Sequence, residues 1–333
     1  MSGVTYLSKV QLGRETTAGT AVPATTIARW KDCYIKDDLT IYMPPENVGL
    51  IVDTDRACIP AKGATLSIPE QDATFEQLLH ILEMGVKTAS STKDGLGDGY
   101  IYVYDFPTTA QNTPKTYTIE AGDDQEAHEM EYCVVTEFGL SGAAKETLKF
   151  TGTIIGRQCS TSAFTTPLTI PNVEEMLFQG CKFYLNDTST DFGTTQLVNT
   201  VLAFDLSVTT GFVGRYTADG NLYYSYVKQT KPIITVSLTM EHNSSSIAEI
   251  AKARAKTPRA LRILCEGTAF AKAGTTYSKK TAIIDIAGIW TDVPAIEDED
   301  GSSILNFTLQ GAYNATLAKF AEITMVTDLS AVP

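Results

Sequence analysis

No stretch of this 333-residue sequence approaches the roughly 18 uninterrupted apolar residues that a membrane-crossing helix needs. The opening Met1-Ser2-Gly3-Val4-Thr5 also lacks the basic and apolar regions of a signal peptide, so a chain made and kept in the cytoplasm is expected. Histidine is scarce. His80, His128 and His242 are the whole set, none at metal-ligand spacing from another or from a cysteine. The six cysteines (Cys33, Cys58, Cys133, Cys159, Cys181, Cys265) form no C-x-x-C pair and read as reduced, mostly buried small apolar residues. Positive charge is in deficit too: 26 Lys and Arg face 39 Asp and Glu, a net charge of −13. That balance excludes a surface that grips nucleic acid by its phosphates.

Motifs for chemistry are equally thin. No Gly-rich loop ends in Gly-Lys-Ser/Thr, and Gly95-Leu96-Gly97-Asp98-Gly99 lacks the strand-to-helix setting of a dinucleotide site, so it reads as a flexible loop. Glu297-Asp298-Glu299-Asp300-Gly301 hints at a Ca²⁺ loop, but no closing glutamate follows, and an acidic turn is expected instead. The Asn-x-Ser/Thr triplets at Asn186, Asn243, Asn306 and Asn314 carry no glycosylation meaning without a secretory signal. Neither an enzyme nor a cofactor or metal site is expected. Trp30 and Trp290, the only tryptophans, are assigned to packing.

What the sequence does hold is a repeat. Asp38-Leu39-Thr40-Ile41 and Asp205-Leu206-Ser207-Val208 share one order of acid, apolar, hydroxyl and apolar, each reading as a strand with a buried face. Polar connections with Gly and Pro follow, at 44–62 and 211–232, and read as long hairpins. Ala64, Leu66 and Ile68 then alternate with Thr65 and Ser67, as Val236, Leu238 and Met240 alternate with Ser237 and Thr239, 172 residues later. Thr74-Phe75-Glu76-Gln77 and Ser246-Ile247-Ala248-Glu249 read as capping boxes opening helices, with apolar faces at Phe75, Leu78, Leu79 and Leu82, and at Ile247, Ile250 and Ala251. Three strands continue each copy, at 117–120, 133–135 and 148–151, then at 261–264, 283–286 and 305–309. The first copy holds an insertion near 86–115, with a strand at 100–104. The predicted fold is mainly β, a β-sandwich or open barrel with one flanking helix per unit, in two tandem copies. Residues 1–160 form the first, 161–172 a linker, and 173–333 the second. Met1–Thr26 and Ala318–Pro333 read as uncommitted arms suited to contacts with copies of the same chain.

The opening from Tyr6 through Gly13-Arg14-Glu15-Thr16 to Gly19-Thr20-Ala21-Val22 resembles the common start of the tail tube (major tail) proteins of long-tailed, siphovirus-like bacteriophages. The run Gly63–Leu82, then Pro114–Glu120, then Phe138-Gly139-Leu140-Ser141-Gly142 before Gly156-Arg157, is similar to that family in the same order. The resemblance spans most of the first copy. It implies a structural virion protein, of the duplicated type, whose rings stack into the tail tube after assembly in the host cytoplasm. Such rings are trimers with six tube domains, the alternative being a hexamer. Tape measure, tail terminator and distal tail proteins are the implied partners, and DNA passes through the lumen without specific binding.

By the same analogy, the strands beside each hairpin line the channel, which makes Asp38, Thr40, Thr65, Ser67, Asp205, Ser207, Ser237, Thr239 and Glu241 candidate lumen residues. Glu46, Asn47, Asp53, Asp55, Arg56, Arg215, Tyr216, Asp219, Tyr223 and Tyr224, on the hairpins, become candidate contacts to the next ring. Asp38 and Asp205 are expected to hold equivalent places, on strands whose Leu39, Ile41, Leu206 and Val208 are buried. Two other readings fit the composition: a different virion β-sandwich, in a decoration or baseplate role, and a carbohydrate-binding or carbohydrate-active β-sandwich.

Overall fold

The computed structural model describes residues 3–53, 55–188 and 191–333. The first half contains strands β1 (Lys9–Arg14), β2 (Thr26–Ala28), β3 (Ile35–Asp37), β4 (Thr40–Tyr42), β5 (Cys58–Ala61) and β6 (Ala64–Asp72), then helix α1 (Leu78–Gly85). Strands β7 (Thr92–Lys93), β8 (Tyr100–Asp105), β9 (Tyr117–Gly122), β10 (Ala127–Ala143), β11 (Lys149–Gly156) and β12 (Cys159–Ser162) complete it. The second half contains β13 (Cys181–Asp187), β14 (Val201–Thr209), β15 (Phe212–Arg215), β16 (Tyr226–Gln229) and β17 (Ile233–Glu241), then α2 (Ser244–Arg254). It ends with β18 (Arg259–Ala269), β19 (Lys279–Trp290), β20 (Ile296–Glu299), β21 (Ser302–Gly311) and β22 (Ala321–Thr327). The protein is mainly β, as predicted.

Both halves pair their strands in one order, always antiparallel: β1–β9–β10–β11–β6–β3 in the first and β13–β18–β19–β21–β17–β14 in the second. In each, a long strand changes sheets partway. The start of β10 lies between β9 and β12 while its end pairs with β11; the start of β19 lies between β18 and β22 while its end pairs with β21. β10 makes this turn through a register shift at Met130/Cys133, where Tyr132 has a φ of 56°. Sheets joined by shared, bent strands close a sandwich around one apolar core. That core is continuous across both halves, running from Leu12 and Trp30 to Leu309 and Met325.

Each half also lends a piece to the other. The insertion strand β8 pairs with β22 (Tyr102 opposite Met325), and β14 pairs with the end of β10 (Asp205 opposite Ser141). The loop expected to be flexible is pinned here. Asp94, 3% exposed, accepts from the amides of Thr276 and Tyr277 at 3.0 and 2.7 Å, and Asp98 exchanges bonds with Lys272.

The arms are not free either. β1 is paired on both sides, by β2 and β9, and β22 by β19 and β8. Glu15, 1% exposed, explains the Gly-x-Glu-Thr opening: its carboxylate accepts from the amides of Gly19 and Tyr132, both at 2.7 Å, and from the Thr118 hydroxyl. Gly19 has a φ of +77°, which favours glycine, and a Cβ there would meet the Arg157 guanidinium. The expected linker begins inside β12, where Thr161 pairs with His128, and Thr165 is held by the Glu120 carboxylate.

The helices depart from the two capping boxes. The Thr74 hydroxyl accepts from the Gln77 amide at 3.3 Å, but the Gln77 side chain turns to the backbone of Ile27 and Arg29, and α1 starts only at Leu78. The box that opens α2 is Asn243 with Ser246. Glu249 lies one turn further in and serves the core, where it takes Arg259 in two hydrogen bonds (2.9 and 2.8 Å) and the Trp290 indole at 3.0 Å. All of α1 is buried, whereas α2 buries Ser246, Glu249 and Ala253 and leaves Ala251 exposed and Ile247 49% exposed. The cysteine reading needs one correction: Cys181 and Cys265 stand directly opposite each other on β13 and β18 and are joined as a disulfide. Neighbouring strands bring opposite Cβ atoms together whatever the spacing in sequence.

Candidate channel face and assembly surfaces

The β10–β14 pairing fuses one sheet from each half into a single sheet, in the order β3–β6–β11–β10–β14–β17–β21–β20. One face is core and the other is polar. A row crosses six strands of the polar face in register: Asp72, Lys149, Ser141, Asp205, Ser237 and Thr308. A second holds Ser67, Thr153, Glu137 and Thr209. Thr65, Ser67, Asp205, Ser207, Ser237, Thr239 and Glu241 all lie on this face, their strand neighbours Leu66, Leu206, Val208, Val236 and Leu238 being buried. Sequence reasoning missed Glu137, Ser141, Lys149, Thr151, Thr153 and Thr308, because it assigned the face from the strands beside the hairpins alone. Alternation within β10, β11 and β21 carried the signal.

Lys149 is the notable addition, a cation on a face read as acids and hydroxyls. It is spoken for: its ammonium lies 2.6 Å from Asp72, which also accepts from Thr147, and these bonds hold the Asp72 carboxyl below the usual range. Lys36 is likewise paired, with Asp38 at 2.5 Å.

The register overturns the equivalence of Asp38 and Asp205. Lys36 stands opposite Thr65 and Asp205 opposite Ser237, so Lys36 occupies in the first half the place of Asp205 in the second. Asp38 lies just past β3, where its side chain is bonded by the Thr65 hydroxyl. Beyond it the chain leaves the sheet, so Thr40 belongs to the hairpin, and Leu39 and Ile41 are 39% and 66% exposed rather than buried. Leu206 and Val208 are buried as expected, because β14 continues along the sheet.

The hairpins differ in the same sense. The first, β4–β5, projects: Asn47, Asp53, Asp55 and Arg56 are exposed, and Arg56 is ion-paired with Glu46. The second, β15–β16, keeps Arg215, Tyr216 and Asp219 outside but sends Tyr224 inward, with only 2% of it exposed. The Tyr224 hydroxyl donates to the Tyr132 carbonyl at 2.6 Å, and Arg157 donates to the Tyr224 carbonyl at 3.1 Å and lies over the half-buried Tyr223 ring. Tyr224 is therefore no tip residue, because it fastens the second half to the first.

The joint between the halves consists of the β10 edge, α1 and the Tyr132–Arg157 corner on one side, and β14 with its hairpin on the other. Each component has a counterpart left open. β3 has a single strand partner among the described residues, and its hairpin exposes Ile41, Met43, Leu50, Ile51 and Val52. At the far end, β20 has β21 as its single strand partner among the described residues, Val293 and Ile296 are 42% and 60% exposed, and α2 shows Ile247. No protein-family profile and no curated protein sequence matches this chain.

Proposed function

We propose that this protein is the subunit of a phage tail tube, which joins head to tail into a closed three-chain ring and stacks into a channel for DNA. The observation that carries the reading is the internal joint. Its two faces recur, unpaired, at opposite ends of the same molecule, and a heterologous contact of that kind closes into a ring or runs on as a filament. The shared pairing order supports a duplicated unit, so three chains would supply six similar inner sheets. Pairing β3 of one chain with the β19–β20 side of the next removes the open sheet edges, which otherwise invite aggregation.

The polar face then lines the bore. Its lysines are neutralised by Asp72 and Asp38, and Asp205, Glu137 and the hydroxyls leave the counterions of DNA in place. Glu46, Asn47, Arg215, Tyr216 and Asp219 project toward the next ring. Tape measure, terminator and distal tail proteins are the partners of such a tube, and no catalytic role is assigned. Native mass spectrometry and electron microscopy of the purified chain test the proposal. A three-chain ring that stacks into tubes is expected, and a six-chain ring or a persistent monomer would refute it.

A further inference from the structure

An open groove of about 810 Å³ lies at the free end of the second half, walled by Pro107 and Gln111 of the insertion and by Lys231, Ile289, Trp290 and Gln310. The corresponding place in the first half is filled. Ile154 stands opposite Leu66 as Phe307 stands opposite Leu238, so Arg157 and Gln310, three residues further on, hold matching positions. Tyr132 and Ile289 lie beside them. Against Tyr132 and Arg157 sits Tyr224, its ring 5.4 Å from that of Tyr132. The first hairpin carries Leu50, Ile51 and Val52 between β4 and β5, as the second carries Tyr224 between β15 and β16.

We propose that Leu50-Ile51-Val52 of a second copy of this chain occupies the groove. In isolation these residues are 62%, 104% and 68% exposed, an apolar run that a solvated hairpin tip has no reason to carry. Charge agrees with this occupant. Asp53 and Asp55 follow the run, while Lys231 on the groove wall has no ion-pair partner among the described residues. The contact thus repeats between chains what Tyr224 does within one. It also makes the hairpin a lateral lock within a ring, with Glu46 and Asn47 left for the ring above. This inference rests on the head-to-tail ring proposed above.

The test is disulfide trapping in the full chain, with Cys58→Ser removing the exposed native thiol on the hairpin. Val52→Cys combined with Ile289→Cys is expected to link most chains into covalent oligomers on mild oxidation. The pair Leu96→Cys with Ile289→Cys, equally exposed on one side, should leave them unlinked. Ile51→Asp, at an exposed position that the fold does not need, should lower the oligomeric fraction at least tenfold by native mass. Rings that form without the Val52–Ile289 link, or that tolerate Ile51→Asp, overturn the groove assignment and leave the ring intact. A protein that stays monomeric at high concentration overturns both.

Discussion

His80 is fully enclosed on α1, 3% exposed, with its Nδ1 3.1 Å from the Tyr117 hydroxyl, which in turn donates to Glu83 at 2.9 Å. Arg14 completes the cluster with an ion pair to Glu83 at 2.9 Å. Burial, with the Arg14 charge adding to it, lowers the His80 pKa from 6.5 to about 3. A depressed pKa means that folding favours the neutral ring. Its contribution is complete above pH 6.5 and is lost as pH falls toward 3, at up to about 1.4 kcal/mol per pH unit. Glu83 is shifted upward by burial, so its own contribution fades in the opposite direction, as pH rises through its raised pKa. Denaturant titrations of the parent and His80→Gln between pH 7 and 4 separate the two effects. The parent should lose stability faster on acidification, and parallel curves would show that His80 titrates normally.

At the scale of elements, the two hairpins look alike in sequence but act differently. Among its described residues the segment 46–56 is exposed but for the half-buried Glu46, so deleting it should change stability by no more than about 0.5 kcal/mol while abolishing the proposed long tubes. Deleting 215–224 takes Tyr224 from between Tyr132 and Arg157 and should cost roughly 3–5 kcal/mol, the scale of losing a buried aromatic. Equal melting curves for the two deletions would contradict this distinction. The sequence showed both hairpins and the strands after them, because alternation at Ala64–Ile68 and Val236–Met240 is a local signal. It did not show that Lys36 rather than Asp38 matches Asp205, since that depends on which residue stands across the sheet. The Cys181–Cys265 bond, the β8–β22 pairing and the groove at Ile289 were hidden for the same reason: each joins segments that no local period relates. The capping boxes misled by a few residues because Gln77 and Glu249 found stronger partners in the core.

For the whole molecule, the polar face is the feature open to direct challenge. Asp205 and Glu137 are exposed on β14 and β10, on strands whose other faces are core, and neither is held in an ion pair among the described residues. Replacing both with lysine should leave folding and tube assembly unchanged. In the proposed tube, each added ammonium would displace a condensed counterion from DNA in the bore, and the effect would repeat along every ring. Delivery of DNA is therefore expected to fall by about tenfold or more. Microscopy of the tails alongside an ejection assay gives the comparison, and normal tails with normal ejection would place this face away from DNA.

The pairing of β8 with β22 also sets a clock. The Tyr102 hydroxyl donates to the Leu329 carbonyl, 227 residues later in the chain. At about 5–20 residues per second, a ribosome takes roughly 10–45 seconds to supply that partner. Throughout that interval β8, Asp94 and one side of α1 lack the strands that cover them. The hairpin and the edge of β3 are already made, yet the β19–β20 edge and groove that would receive them in another chain are completed only near the end of synthesis. Nascent chains arrested before Ala321 should accordingly be cleaved readily within 86–115 and should not associate, and protease resistance at that stage would show that the first half matures alone. If chains join head to tail as proposed, the order in which the strands are made keeps the protein from polymerising on its own polysome.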